Sequence, residues 1–198
     1  MELTTAQGRI EYPMSLACAP TRPYLEFAAR VSTSPWKEAF AALKVGDEAE
    51  IDGPYGHFVL AEESPAVLVA GGIGITPLKG MAEYAADRRL PIDVRLVYSN
   101  RTEEEIAYRS ELEELTRRNP RFEVRHTLTR LPEGSTWTGR RGRLDGGFLA
   151  DAARGLSDPV YYVCGTWGMV EETVRLLASG GISADRIRYE VFRGYGRA

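Results

Sequence analysis

One stretch restricts the fold more than any other. An apolar run, Ala66-Val67-Leu68-Val69-Ala70, passes without a break into Gly71-Gly72-Ile73-Gly74-Ile75-Thr76-Pro77. The run is far too short to span a bilayer and has no alternation, so it reads as a strand covered on both faces. Three glycines follow it at once. Thr76 as cap and Pro77 at the first helical position predict a helix that runs to about Arg88. Strand, glycine turn and helix together leave free N–H groups and a positive dipole end at one place. That arrangement suits a diphosphate. The spacing departs from G-x-G-x-x-G; ligand binding is the favoured reading, and a tight strand-to-helix turn without a ligand is the alternative. If a ligand binds, a side chain at Gly74 is expected to occupy the position of its diphosphate.

The following residues repeat the pattern. Ile92–Tyr98, Phe122–Leu128, Val160–Cys164 and Ile187–Phe192 read as strands. Between them lie helices over Glu103–Arg118, with Ile106, Leu112 and Leu115 inward, and over Trp167–Ala178. A short helix capped by Asp145 reaches Ala153. Alternation of this kind gives right-handed crossovers and a parallel sheet.

Before Glu62-Glu63-Ser64-Pro65 the character differs. Met14–Cys18, Tyr24–Val31, Glu48–Asp52 and His57–Leu60 read as short strands between Pro- and Gly-rich turns. One helix interrupts them, with Ser34 as N-cap, Pro35 at its first position, Ala39, Phe40 and Leu43 along one face, and Gly46 at its end. The predicted class is α/β. A small antiparallel β-barrel, incomplete at its N-terminus, occupies 1–62, and a Rossmann-like parallel sheet occupies 63–198.

Charge and cysteine content exclude several functions. The net charge is −3 over 198 residues, and Arg117, Arg118, Arg140, Arg141 and Arg143 are scattered, so nucleic acid is not an expected partner. Cys18 and Cys164 are the two cysteines, without metal-ligand spacing, so no metal or iron–sulfur site is expected. Met1-Glu2-Leu3-Thr4-Thr5 has no signal-peptide pattern, and no apolar run spans a membrane, which predicts a cytoplasmic protein. His57 and His126 are the only histidines, and no Ser-His-Asp arrangement is evident.

Two further strand ends carry candidate chemistry, because ligands of open α/β sheets sit at the carboxyl ends of the strands. At the first, Ser99 and Arg101 could hold an adenosine ribose or its 2′-phosphate. The neighbouring Glu103, Glu104 and Glu105 read more simply as stabilisers of a helix start. At the second, Cys164-Gly165-Thr166-Trp167-Gly168-Met169 again joins strand to helix. Alone, Cys164 reads as a small buried residue; at this edge it could stand beside a ligand ring.

In this order, the motifs resemble the ferredoxin–NADP reductase family, over nearly the whole chain. Gly71, Gly72, Gly74, Ile75, Thr76 and Pro77 look like its pyrophosphate turn. Cys164-Gly165 through Met169 looks like its C-G-x-x-x-M segment near the nicotinamide, with Thr166 shaping the slot. Gly53-Pro54-Tyr55-Gly56-His57-Phe58 looks like its G-P-x-G-x-F link between domains. The resemblance implies a flavin-dependent oxidoreductase that moves hydride from NAD(P)H to a bound flavin, FAD or alternatively FMN. Electrons then pass to a small-molecule or protein acceptor.

The flavin half departs from the family pattern. Where the family carries Arg-x-Tyr-Ser/Thr, this chain reads Tyr12-Pro13-Met14-Ser15. Ser15 fits the hydroxyl that approaches flavin N5, with Met14 and Leu16 beside it. Tyr12 stands in place of the arginine. Ser34 and Lys37, at the start of a helix, are the candidates for the flavin diphosphate. The ending Phe192-Arg193-Gly194-Tyr195 resembles a tail that places an aromatic, here Tyr195, near the flavin. Two other readings follow from the departures. One is a non-catalytic NAD(P)-binding subunit with a degraded flavin site. The other is an electron-transfer component of a larger redox complex. A partner subunit or a homodimer would cover the incomplete barrel.

Overall fold

The structure, a computed structural model, describes residues 1–5, 8–31 and 34–192. Tyr195 lies outside them. The second half of the chain is a six-stranded parallel sheet. Its strands are β3 (Ala66–Gly71), β4 (Val94–Asn100), β5 (Phe122–Leu128), β6 (Arg140–Arg141), β7 (Val160–Thr166) and β8 (Ile187–Phe192), in the spatial order β6-β5-β4-β3-β7-β8. The sheet order reverses direction at β3, between β4 and β7, where a crevice forms at the carboxyl edge.

Helices cover both faces of this sheet, as the unbroken apolar strands require. Along β3 the side chains alternate. Ala66, Leu68 and Ala70 face one core with Ile75, Leu78 and Ala82 of α2 (Ile75–Asp87), and Leu112 and Leu115 of α3 (Arg109–Arg118). Val67 and Val69 face the other core. There they meet Leu149 and Ala152 of α4 (Gly146–Ala152), and Val170 and Leu177 of α5 (Trp167–Ser179). Each fully buried leucine or valine contributes about 1.5–3 kcal/mol. Asp145 caps α4 by accepting from the Phe148 amide.

Helix starts differ from expectation in two places. Ile75 already belongs to α2, which a 3-10 turn over Gly72–Gly74 feeds, so Gly74 is the capping residue. Thr76 lies in the first turn and its hydroxyl donates back to the Ile73 carbonyl. Helix α3 begins at Arg109, not Glu103. Tyr108 is left-handed (φ 60°), which stops a right-handed helix from extending backwards. The Glu103 carboxylate instead folds onto Arg109 at 2.5 Å.

The first 62 residues form less ladder than expected. A hairpin of β1 (Glu2–Thr5) and β2 (Gly8–Glu11) is their only regular sheet among the described residues. None of the four expected strands forms a ladder: Met14–Cys18 meets Tyr24–Val31 at one isolated bridge, Leu16 to Phe27, Glu48–Asp52 meets β1 at another, Glu2 to Glu50, and His57–Leu60 carries no bridge. Ile51 and Tyr55 are exposed, so this stretch lacks the neighbouring backbone a ladder needs. Helix α1 (Pro35–Ala42) is capped by Ser34, whose hydroxyl accepts from the Lys37 amide. Its buried anchor is Trp36, stacked between Tyr12 and Phe40, whereas Leu43 is the exposed C-cap.

A polar seam ties these residues to α2. The Ala19 amide donates to Glu83 (3.1 Å), Thr21 donates to Asp87 (2.6 Å), and the Lys79 ammonium meets Glu26 (2.7 Å) and Glu83 (3.2 Å). Nearer β8, the Tyr162 hydroxyl accepts from the Ala61 amide at 2.7 Å.

Candidate functional site

The crevice at the reversal point is built by two turns. After β3, the chain enters Gly72–Gly74. After β7, it enters α5 at Trp167. The two turns touch at Gly74. A β-carbon there would lie 2.3 Å from the Cys164 carbonyl oxygen and 2.7 Å from the Gly165 nitrogen. Gly74 is thus a glycine because the β7 backbone presses on it. This corrects the expectation that a side chain would meet the diphosphate first. Gly71 and Gly165 face the Met169 thioether, whose sulfur would stand 3.1 and 2.9 Å from β-carbons on them. Met169 therefore closes the floor of the crevice between the strand ends. Thr166 and Trp167 are exposed at its rim. Ile75 and Thr76 are buried beneath the turn and Pro77 is half-buried.

Gly72 is partly exposed, with φ +52°. The Tyr98 hydroxyl donates to its carbonyl at 3.0 Å, and burial pushes the Tyr98 phenol up to about 12, so it stays a donor at neutral pH. Arg30, from the extended segment before α1, lies over this turn. Its Nη2 would stand 3.6 Å from a β-carbon on Gly72, and it pairs with Glu105 at 2.8 Å. On the next strand end, Ser99 is half-buried, Arg101 is exposed, and Asn100 is 4% exposed with its side-chain oxygen unsatisfied.

On the other side of β7, the Ser15 hydroxyl donates to Glu190 Oε1 at 3.0 Å. Glu190 stands opposite Cys164 in the β7–β8 register. Cys164 is fully buried; burial pushes its thiol well above the usual range and Glu190 adds to the rise. It is a neutral thiol. The tertiary structure thus gathers Ser15, Cys164 and Glu190, which are distant in sequence. Met14 and Leu16 flank Ser15, both half-buried. Ser34 and Lys37 lie at the start of α1, where the Ser34 oxygen is already engaged as cap.

Sequence reasoning missed Arg30, Glu105 and Glu190. A signal existed for Glu190, a carboxylate inside a strand between Tyr189 and Val191. For Arg30 and Glu105 the signal was tertiary, since 75 residues separate them.

Residues 68–175 match the family model of the oxidoreductase NAD-binding domain. The ferredoxin–NADP reductase B of Sorangium cellulosum is 32% identical over 195 residues, covering 94% of this chain and 79% of that protein. The chain belongs to the ferredoxin–NADP reductase family. The glycine betaine monooxygenase reductase subunit of Chromohalobacter salexigens is 30% identical over 158 residues, 76% of this chain. The chain spans between 29% and 42% of the length of this and other curated relatives. The fold is shared with the flavohaem-like FAD/NAD-binding domain of nitric oxide dioxygenase from Vibrio cholerae. That structure has a TM-score of 0.86 at 22% identity, with 96% of this chain and 81% of that one covered. The family-model match takes in both crevice turns, whereas Ser15, Arg30 and Glu190 lie outside it. No described helix is long and apolar enough to cross a membrane.

Proposed function

We propose that the protein oxidises NAD(P)H and passes the electrons through a flavin to a separate acceptor, with residues 1–62 facing the flavin and 63–198 holding the dinucleotide. The observation that carries this reading is the meeting of the β3 and β7 turns at the carboxyl edge of the sheet, with the Ser15–Glu190 hydrogen bond joining the two halves of the chain. The residues there fit a dinucleotide. The partly exposed Gly71 and Gly72 and the start of α2 would meet the diphosphate, with Gly74 buried beneath them. Arg30 would add a fixed positive charge beside it. Ser99, Asn100 and Arg101 would meet the adenosine ribose, whose hydroxyl would satisfy the buried Asn100 oxygen. Thr166, Met169 and Gly165 would bound the nicotinamide.

Bound together, the two cofactors supply the hydride chemistry, while the chain supplies orientation and electrostatics. Ser15, Met14 and Leu16 would hold the flavin. Glu190 accepts the Ser15 hydrogen bond at 3.0 Å and would orient that hydroxyl. Cys164, neutral and buried, keeps the floor apolar. Ser34 and Lys37 would face the flavin diphosphate. A reductase-subunit relative supports a protein acceptor. The exposed Val45, Ile51, Tyr55 and Val59 support coverage by a partner subunit or a second copy.

The test is titration of flavin-supplemented protein with NADH and NADPH while the flavin band bleaches. Bleaching by one or both supports the reading, and Glu190→Gln, which removes the carboxylate that orients the Ser15 hydroxyl, should slow it with nicotinamide affinity retained. Unchanged bleaching in that variant would remove Glu190 from the reaction. A second reading has its own observation: Tyr12 stacks on Trp36 where the family carries a flavin-binding arginine. It makes the chain a dinucleotide-binding subunit without flavin. A protein that binds NAD(P)H but stays colourless after reconstitution would support it.

A further inference from the structure

The Arg30–Glu105 pair stands where the proposed diphosphate would arrive. Arg30 Nη2 bonds Glu105 Oε2 at 2.8 Å, and the same nitrogen overhangs Gly72. Gly72 is held in place from behind by the Tyr98 hydroxyl. Both charged side chains are accessible, Arg30 at 45% and Glu105 at 29%. Of the three consecutive glutamates, Glu103 is tied to Arg109 and Glu104 is exposed, so Glu105 alone turns toward the crevice. A guanidinium offers the same planar fork to a carboxylate and to a phosphate. The two ligands therefore compete for it.

We propose that Glu105 sets the dinucleotide affinity of this protein. Its carboxylate occupies the phosphate-facing side of Arg30, and binding exchanges it for a dinucleotide phosphate. The exchange releases the 101–107 loop from the segment that carries Arg30. Glu105 is a positioning residue, because it acts through Arg30. The inference rests on the reading that the Gly71–Thr76 turn takes the diphosphate.

Exposed ion pairs are weak, so the effect is modest: loss of the Glu105 charge should tighten binding about two- to five-fold. The experiment measures NADH and NADPH dissociation constants, and KM and kcat, for flavin-supplemented wild type, Glu105→Gln, Glu105→Asp, Arg30→Ala and the Arg30→Ala/Glu105→Gln double variant. Glu105→Gln should lower Kd and KM with kcat unchanged. Its affinity should also fall more steeply with salt, because it gains a screened contact without giving one up. Glu105→Asp should behave as wild type. Arg30→Ala should weaken binding, and in its background Glu105→Gln should have no effect. Unchanged affinity in Glu105→Gln, or the same gain without Arg30, overturns the proposal. Wild type that binds neither dinucleotide overturns the diphosphate reading as well, so the two failures are distinguishable.

Discussion

Gly74 shows how a residue at a proposed ligand site can be chosen by packing. Its missing side chain lets the β3 turn lie on the β7 backbone, and that contact brings the two halves of the crevice together. Gly74→Ala should therefore cost stability before it costs binding. With backbone atoms as the obstacle, relaxation is poor, and a loss of about 2 kcal/mol and about 6 °C in Tm is expected. Thermal melts of the unliganded variant check this. A Tm equal to wild type would return the glycine to a purely ligand-facing role. Ser15 and Glu190 make the opposite case. Neither is buried among apolar groups, and their 3.0 Å bond joins parts of the chain 175 residues apart.

Helix α2 is the element on which the assembly turns. One end feeds from the glycine turn, one face fills the core, and another carries Lys79 into a seam with Glu26 and Glu83. Burial alone would lower the Lys79 ammonium, but the Glu26 hydrogen bond and the Glu83 charge raise it on balance above the usual lysine value of 10.5. A raised pKa in the folded state means that folding favours the protonated form. That stability is fully present below pH 10.5 and lost as pH rises through the raised value. Lys79→Met leaves two carboxylates in the seam and should cost about 3 kcal/mol at neutral pH. In urea unfolding, the gap between wild type and variant should hold constant up to pH 9.5, roughly, and narrow above 10.5. A gap independent of pH would show that the loss is packing alone.

For the molecule as a whole, the two halves differ in how they are held. The sheet has two apolar cores, whereas the described part of residues 1–62 rests on a hairpin, a few buried side chains such as Trp36, Leu3 and Ala17, isolated bridges and a polar seam. Ligands that span both should stabilise the first half most. Dinucleotide at about a hundred times its Kd should add about 2.7 kcal/mol. Hydrogen exchange resolves where it appears. Protection is expected at Ala17–Ala19 and Glu26–Phe27 as well as at β3 and β7. Protection confined to the sheet would mean that the ligand does not bridge the halves.

The sequence alone determined five of the sheet's six strands and their parallel direction; the two-residue β6 has too short a pattern to show. Those follow from local information: unbroken apolar runs, capping residues and glycines at strand ends act within a few residues. It also pointed to Ser15, Cys164 and the glycine turn through their resemblance to one family. The first 62 residues were legible as extended, yet not as bridges instead of ladders, since a ladder depends on what lies beside a strand. Only the tertiary structure decided that Tyr108 breaks the third helix, that Gly74 answers to β7, and that Arg30 meets Glu105 and Ser15 meets Glu190. Each depends on groups far apart in the chain whose attraction acts over a few ångströms, so no local pattern records it.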